Sequence, residues 1–258
     1  MNTTFYKYQG TGNDFILIDN RVSKFPKENT TIIKKLCDRH FGIGADGLIL
    51  LENDHELDFK MVYYNADGNE STMCGNGGRC IVAFANKLGI VSTSVNFRAI
   101  DGLHSASIEG NIVSLHMIDV NNVNVFDNHV FANTGSPHHV ELVEDIDNFD
   151  IVSVGRKIRH EVYGKEGSNV NFIEQKNDDT FRLRTYERGV EDETLACGTG
   201  ATAAALAMYH TQKTNKKTIH LIVQGGNLTV SFVTDNNGYK NIYLTGPADF
   251  VFEGKIAY

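Results

Sequence analysis

The chain reads as an α+β protein in which a unit of roughly 120 residues, a common domain size, occurs twice. Three observations lead there. Glu70-Ser-Thr-Met-Cys74-Gly-Asn-Gly and Glu193-Thr-Leu-Ala-Cys197-Gly-Thr-Gly are two copies of one pattern, E-x-x-x-C-G-x-G, about half of the 258-residue chain apart. The likeness extends upstream, where Phe59-Lys-Met-Val-Tyr-Tyr-Asn-Ala-Asp-Gly68 matches Phe181-Arg-Leu-Arg-Thr-Tyr-Glu-Arg-Gly189, each an alternating strand running into a turn. It also extends downstream, where Ile81, Phe84, Ala85, Leu88 and Ala201, Ala204, Ala205, Met208 recur with the i, i+3, i+4, i+7 spacing of buried helices.

Taken in order, Phe15-Ile-Leu-Ile-Asp19 is a short apolar run and the first clear strand. Thr30 to His40 follows as a helix, with Ile32, Ile33, Leu36 and Cys37 on one face and Asn29 or Thr30 as its cap, so that Cys37 is a core side chain. Leu48-Ile-Leu-Leu51 is another strand, and the Phe59 run leads into the first cysteine motif and its helix, where Cys80 serves packing. Val95 to Met117 is strand-like around Gly102. Asp119-Val-Asn-Asn-Val-Asn-Val125 is the expected crossing between halves, which gives domains at 1–118 and 119–258 and leaves the last strand, about 246–258, free to pack back on the first half. In the second half, Thr218 to Leu244 repeats the strands, with Gly225 or Gly226 in the place of Gly102.

Composition excludes several classes. The chain is 41% hydrophobic and 22% charged, ordinary for a globular enzyme. No apolar run approaches the roughly 20 residues of a membrane helix, and the start lacks the regions of a signal peptide, so a cytoplasmic location is expected. A net charge of −8 without a basic stripe argues against nucleic acid or anionic membrane as a partner. Four cysteines are too few for a disulfide scaffold of this length, and a reducing compartment leaves them as thiols.

A cysteine just before a glycine-rich helix start meets outward-pointing N–H groups, which favour the thiolate. Two such thiols suit one reaction, the inversion of a carbon acid beside a carboxylate. One thiolate takes the proton, one thiol returns a proton to the opposite face, and the helix-start N–H groups hold the carboxylate where negative charge develops. The scheme requires neither cofactor nor metal. A redox pair would show C-x-x-C spacing, which these cysteines lack; a zinc site would show knuckle spacing, for which Cys74 and Cys80 are too far apart, or a His pair at metal spacing, and none accompanies them.

Asn65-Ala-Asp-Gly-Asn-Glu-Ser-Thr-Met-Cys74-Gly-Asn-Gly-Gly-Arg79 and Glu187-Arg-Gly-Val-Glu-Asp-Glu-Thr-Leu-Ala-Cys197-Gly-Thr-Gly-Ala resemble the two signature segments of the diaminopimelate epimerase family. So do Gly10-Thr-Gly-Asn13-Asp-Phe, Arg39-His-Phe-Gly-Ile-Gly-Ala-Asp46-Gly, Gly135-Ser-Pro-His138, Gly167-Ser-Asn169-Val-Asn-Phe and Gly246-Pro-Ala, in the family's order along the whole chain. The resemblance implies two pseudo-symmetric domains, each a mostly antiparallel β-sheet or barrel wrapped around a central helix, with the active site in the cleft between them. It implies a homodimeric, PLP-independent isomerase that interconverts LL- and meso-diaminopimelate in lysine biosynthesis.

By the same resemblance, Cys74 and Cys197 form the acid/base pair, with His138 and Glu187 as helpers. Gly75, Asn76, Gly198 and Thr199 hold the reacting carboxylate, and Asn13, Asn65, Asn169, Glu187 and Arg188 make the remaining substrate contacts. Departures occur at Ser136, where many members carry asparagine, and at Gly47, where some carry a glutamine. The segment from Glu187 to Cys197 is also one residue longer than in some relatives, which leaves the placement of Glu191, Asp192 and Glu193 open. A proline or hydroxyproline racemase with the same two-cysteine logic, or a non-catalytic ligand-binding relative, are the alternatives. The Glu187-Arg188 pair, suited to a second amino acid head group, favours diaminopimelate.

Overall fold

The computed structural model describes residues 2–22 and 24–258 of the chain. It divides into two compact units, Met1–Leu115 with Pro247–Tyr258, and His116–Gly246. In chain order the first stretch carries β1 (Asn2–Gly10), β2 (Asn13–Asp19), α1 (Thr30–Cys37), β3 (Gly47–Glu52), β4 (Phe59–Asn65), β5 (Glu70–Ser71), α2 (Gly75–Lys87), β6 (Ser94–Ala99), β7 (Gly102–Glu109) and β8 (Ile112–His116). The second carries β9 (Val123–Val125), β10 (Val130–Asn133), β11 (Pro137–Leu142), α3 (Ile151–Glu161), β12 (Asn169–Gln175), β13 (Thr180–Glu187), β14 (Asp192–Thr194), α4 (Gly198–His210), β15 (Thr218–Val223), β16 (Gly226–Asp235) and β17 (Gly238–Pro247). The chain closes with β18 (Asp249–Ala257).

The two units share one topology. In the first the strands run β18, β1, β2, β3, β4, β6, β7, β8, antiparallel throughout except for β2 with β3 and β4 with β6. In the second they run β9, β10, β11, β12, β13, β15, β16, β17, with β11/β12 and β13/β15 as the parallel pairs. A helix lies on each connection between parallel neighbours, as parallel pairing requires. The last strand, β18, holds in the first sheet the place that β9 holds in the second.

Each sheet wraps one helix. α2 touches β1, β2, β3, β7 and β18, and every residue from Gly75 to Ala85 is buried. α4 touches β9 to β13, β15 and β16 and is buried from Gly200 to Met208. A helix surrounded in this way has no polar face, and its many Ala and Gly residues let strands approach from every side. The flanking helices cover the outer faces. Asn29 caps α1 by accepting from the Ile32 N–H, and α1 packs Ile33, Leu36 and Cys37 against Ile16, Ile18, Leu48, Leu50 and Val62. With helices on both faces, β2 and β3 are apolar without alternation, as doubly covered strands are. Burial pushes the Cys37 thiol up to about 12 and raises that of Cys80 as well, so both are inert packing groups.

α1 ends at Cys37 and does not continue to His40. Asp38 turns the chain instead, its carboxylate accepting from the backbone N–H groups of His40 and Phe41. α3 has no counterpart in the sequence reading; it buries Ile151 and Gly155 and packs the half-buried Val152, Val154 and Ile158 against Val170, Phe172 and Tyr186, a short apolar stripe on a helix whose second half is largely charged. The hairpin between β15 and β16 places Gly226 (φ +140°) where the β6–β7 hairpin has Gly102 (φ +130°), backbone values open to glycine. Among the described residues, no helix is long and apolar enough to cross a membrane.

Candidate active site

In the first unit Cys74 is the N-cap of α2, extended at φ −94° and ψ 146°, and its Sγ accepts from the Gly77 N–H at 3.1 Å. The approach at Gly77 is close, since a Cβ there would lie 3.2 Å from that sulfur and 3.3 Å from Ile49 Cδ1 and would press both back by a few tenths of an ångström. Asn13, at the start of β2, faces Cys74 with Oδ1 at 3.9 Å, and the same oxygen accepts from Asn76 Nδ2 at 3.3 Å. That amide has one possible orientation, because its Nδ2 donates to the Asp46 carboxylate, which can only accept. Arg39 ties Asp46 (2.7 Å) to Asp14 (2.8 Å), and Lys7 grips Asp14 from another side at 2.7 Å. Burial acts to raise the Asp14 pKa, but its bonds to Arg39 and Lys7 outweigh that and hold it at about 2.

Arg79, one turn into α2, is fully buried. Its guanidinium donates to Asn76 Oδ1 (3.0 Å), Thr11 Oγ1 (3.1 Å), Pro247 O (3.3 Å) and Gly75 O (3.4 Å), all uncharged oxygens. It thereby pins the Asn76 amide with Nδ2 toward Asn13 and fastens the Gly10-Thr11 turn to the start of α2. Burial lowers the pKa of this arginine. Asn65, at the exposed end of β4, opens the turn closed by the Gly68 N–H on its carbonyl at 2.9 Å.

In the second unit Cys197 is the N-cap of α4, with Sγ 3.5 Å from Thr199 Oγ1. Thr199 Oγ1 is in turn 2.9 Å from Nε2 of His138, a fully buried ring on β11. Asn171 Nδ2 reaches His138 Nδ1 at 3.1 Å and the His139 carbonyl at 2.8 Å, while Thr185 Oγ1 donates to Asn171 Oδ1 at 3.0 Å. Burial first, and the nearby Arg188 charge second, push the His138 imidazole down to about 3, so the ring is neutral near pH 7. Asn169, two residues before Asn171 on β12, uses Oδ1 to accept the Arg188 backbone N–H at 2.9 Å. Arg188 Nη1 donates to Glu166 O at 2.8 Å, and Glu187 accepts from Thr194 Oγ1 at 3.0 Å.

The glutamate of the second cysteine motif has a framework role. Glu193 makes a bidentate pair with Arg184 at 2.6 Å, and Arg184 also donates to Ile146 O. Glu191 accepts from Arg159, Tyr186 and the Gly189 N–H. Ser136 lies in the turn between β10 and β11, its carbonyl accepting from the Thr134 N–H. At Gly47 a Cβ would stand 2.5 Å from the Tyr64 carbonyl oxygen, so this stretch of β3 has no room for a side chain.

Cys74, Gly75, Asn76 and Asn13 thus gather in one unit. Cys197, Gly198, Thr199, His138 and Asn169 gather in the other, joined by the Arg188 backbone. Sequence reasoning passed over Asp46, Arg79, Asn171 and Thr185. Signals existed for two of them: Asn171 shares the i, i+2 strand face of Asn169, and Arg79 is the one charged residue in the stretch Gly75 to Ala85 of its helix. Among the described residues, no three His, Cys, Asp or Glu side chains cluster as metal ligands would.

A family model described as diaminopimelate epimerase matches residues 5–119 and 130–251. A diaminopimelate epimerase of Flavobacterium psychrophilum is 63% identical over 253 residues, covering 97% of this chain and 99% of that protein. One from Aquifex aeolicus is 42% identical over 276 residues, covering 98% and 97%. Among solved structures, a PhzF-family phenazine biosynthesis protein of Bacillus anthracis superposes with a TM-score of 0.80 at 15% identity, covering 100% of both chains. A hydroxyproline epimerase of Agrobacterium vitis, solved with trans-4-OH-L-proline, gives 0.71 at 16% identity, covering 99% of this chain and 92% of that one. These two show the fold alone. Two cysteine-capped helices in one duplicated topology, a family model spanning nearly the whole chain and full-length identities up to 63% lead to one statement: the chain belongs to the diaminopimelate epimerase family.

Proposed function

We propose that this chain interconverts LL- and meso-diaminopimelate in lysine biosynthesis, with Cys74 and Cys197 as the acid/base pair and no cofactor. The observation that carries this reading is the repetition of one thiol, in one motif, as the N-cap of each unit's buried helix. One cysteine, as thiolate, takes the α-proton and becomes a thiol. The other, as thiol, gives its proton to the opposite face of the carbanion and becomes a thiolate, so the two exchange states at each turnover. In this reading the first-turn N–H groups at Gly75, Asn76, Gly198 and Thr199, each at the positive end of its own helix dipole, hold the carboxylate as it gathers charge. Asn13, Asn65, Asn169, Glu187 and Arg188 supply acceptors for ammonium groups and a guanidinium for the distant carboxylate, with His138 and Glu187 assisting the thiols.

Transfer of deuterium from solvent to the α-carbon tests the reading. The unmodified protein is expected to exchange diaminopimelate and not proline, and Cys74→Ala and Cys197→Ala each to lose epimerisation while staying folded. Near wild-type turnover by either variant would sink the two-base mechanism, and exchange of proline in place of diaminopimelate would move the chain to the racemases.

The partner is then a small molecule. The net charge of −8 supports the absence of a nucleic acid partner and, with the biosynthetic role, a cytoplasmic location. A homodimer is supported by β18, which carries Phe250, Val251 and Phe252 exposed together on a strand whose register pairs with β1.

A further inference from the structure

We propose that Asn171 is a positioning residue that locks His138 in its Nε2–H form and so turns the Thr199 hydroxyl into a hydrogen-bond donor to Cys197 Sγ. Every proton in the chain of contacts follows from the one before it. The His139 carbonyl oxygen can only accept, so the Asn171 atom 2.8 Å from it is the NH2 group, and Oδ1 is left to accept from Thr185. The same NH2 group stands 3.1 Å from His138 Nδ1, which must therefore offer a lone pair. A neutral imidazole bears one proton, which is then on Nε2, 2.9 Å from Thr199 Oγ1. The Asn169 NH2 group also faces that nitrogen, but at 3.4 Å against 3.1 Å for Asn171 at Nδ1, and the nearer amide takes the single lone pair of the neutral ring. Having accepted from His138, the Thr199 hydroxyl directs its own proton to the sulfur at 3.5 Å.

Two further features keep the relay in place. Thr134 Oγ1 holds the Thr199 carbonyl at 2.8 Å, and Gly200 leaves the space in which Asn171 sits, since a Cβ there would lie 2.4 Å from Asn171 Oδ1. His138 is buried and its pKa is pushed down to about 3, by burial first and by the Arg188 charge second, so it acts as a fixed dipole. A hydroxyl donated to sulfur favours the thiolate over the thiol. For its meaning in turnover the relay rests on the reading of Cys197 as an acid/base group, but its existence can be measured without substrate.

Two measurements on the full-length protein decide it. In 15N-histidine spectra, with the His138 signals assigned against His138→Gln, the ring is expected to bear its proton on Nε2 from pH 5 upward. Iodoacetamide labelling against pH, read by peptide mass spectrometry, reports Cys74 and Cys197 separately. Thr199→Val and Asn171→Leu are expected to raise the labelling midpoint of Cys197 by about one pH unit and to leave that of Cys74 in place, while Thr199→Ser keeps the wild-type midpoint. A proton on Nδ1, or an unmoved Cys197 midpoint in Thr199→Val, overturns the proposal. If Asn171→Leu does not fold, the spectra of the unmodified protein still decide. A shifted midpoint in a protein that does not epimerise diaminopimelate would reject the proposed reaction and leave the relay standing.

Discussion

Individual side chains of this protein are governed by where a proton or a charge can sit. His138 shows the consequence for stability. Its folded-state pKa lies near 3, below the ordinary 6.5, so the unfolded chain takes up the proton first as pH falls. The stability contributed by the neutral ring is complete above about pH 6.5 and is lost as pH drops toward 3. Urea midpoints measured at pH 7 and pH 5 are expected to differ more in the unmodified protein than in His138→Gln; equal differences would mean the ring is not buried as a neutral group. Arg188 carries a different expectation. If its guanidinium pairs with the distant carboxylate of the substrate, Arg188→Ala leaves that carboxylate unpaired and costs on the order of 3 kcal/mol, roughly a hundredfold in kcat/KM. Unchanged kinetics with diaminopimelate would show that the far end of the substrate is held elsewhere.

The helices that present the thiols are closely approached at their first turns. The second glycine of C-G-x-G serves two purposes, since Gly77 offers its N–H to Cys74 Sγ while Gly200 makes room for Asn171. Gly200→Ala is expected to destabilise the fold by about 2 kcal/mol through overpacking and to shift Cys197 labelling as Asn171→Leu does, which chemical denaturation and the labelling profile would check together. The corner built from β2, the turn before β3 and Arg39 has its own pH window. Asp14 is held near 2 against an ordinary 3.8, so the stability it contributes is present above about pH 4 and disappears as pH falls toward 2. Arg39→Met should remove part of that acid sensitivity, which acid titration of the two proteins would show.

Over the whole chain, one topology is used twice, yet its outermost strand comes from a different place each time: β9 precedes its sheet in sequence, whereas β18 follows everything else. The first unit is therefore complete only when the last residues of the chain have been made, and truncation before Asp249 should destabilise it. The exposed Phe250, Val251 and Phe252 on that strand underlie the proposed homodimer. At Val251 the β1/β18 register shifts, Lys7 facing Phe252 and Tyr8 facing Phe250, so the side chain belongs to a bulge and its replacement breaks no ladder pair. Val251→Asp is expected to convert dimer to monomer in sedimentation experiments; an unmodified protein that already sediments as a monomer would end that reading.

The amino-acid order alone revealed the duplication, the two cysteine-capped helices, the apolar strands around Phe15 and Leu48, and Cys37 and Cys80 as packing groups. Each of these is written locally, in a repeated motif or in the period of apolar residues, and periodicity follows directly from backbone geometry. Less was legible where a helix lays a short apolar stripe between charged residues, as α3 does with Ile151, Val154 and Ile158, or ends on a side-chain contact, as α1 does at Asp38. The surroundings of each thiol were legible only in part. Asn171 matters because a carbonyl on β11 and a hydroxyl on β13 fix its amide, and Arg79 because a carbonyl at Pro247 and a hydroxyl at Thr11 meet its guanidinium. Such roles are set by partners far away in sequence, and a hydrogen bond acquires its direction only when folding has brought both of its ends together.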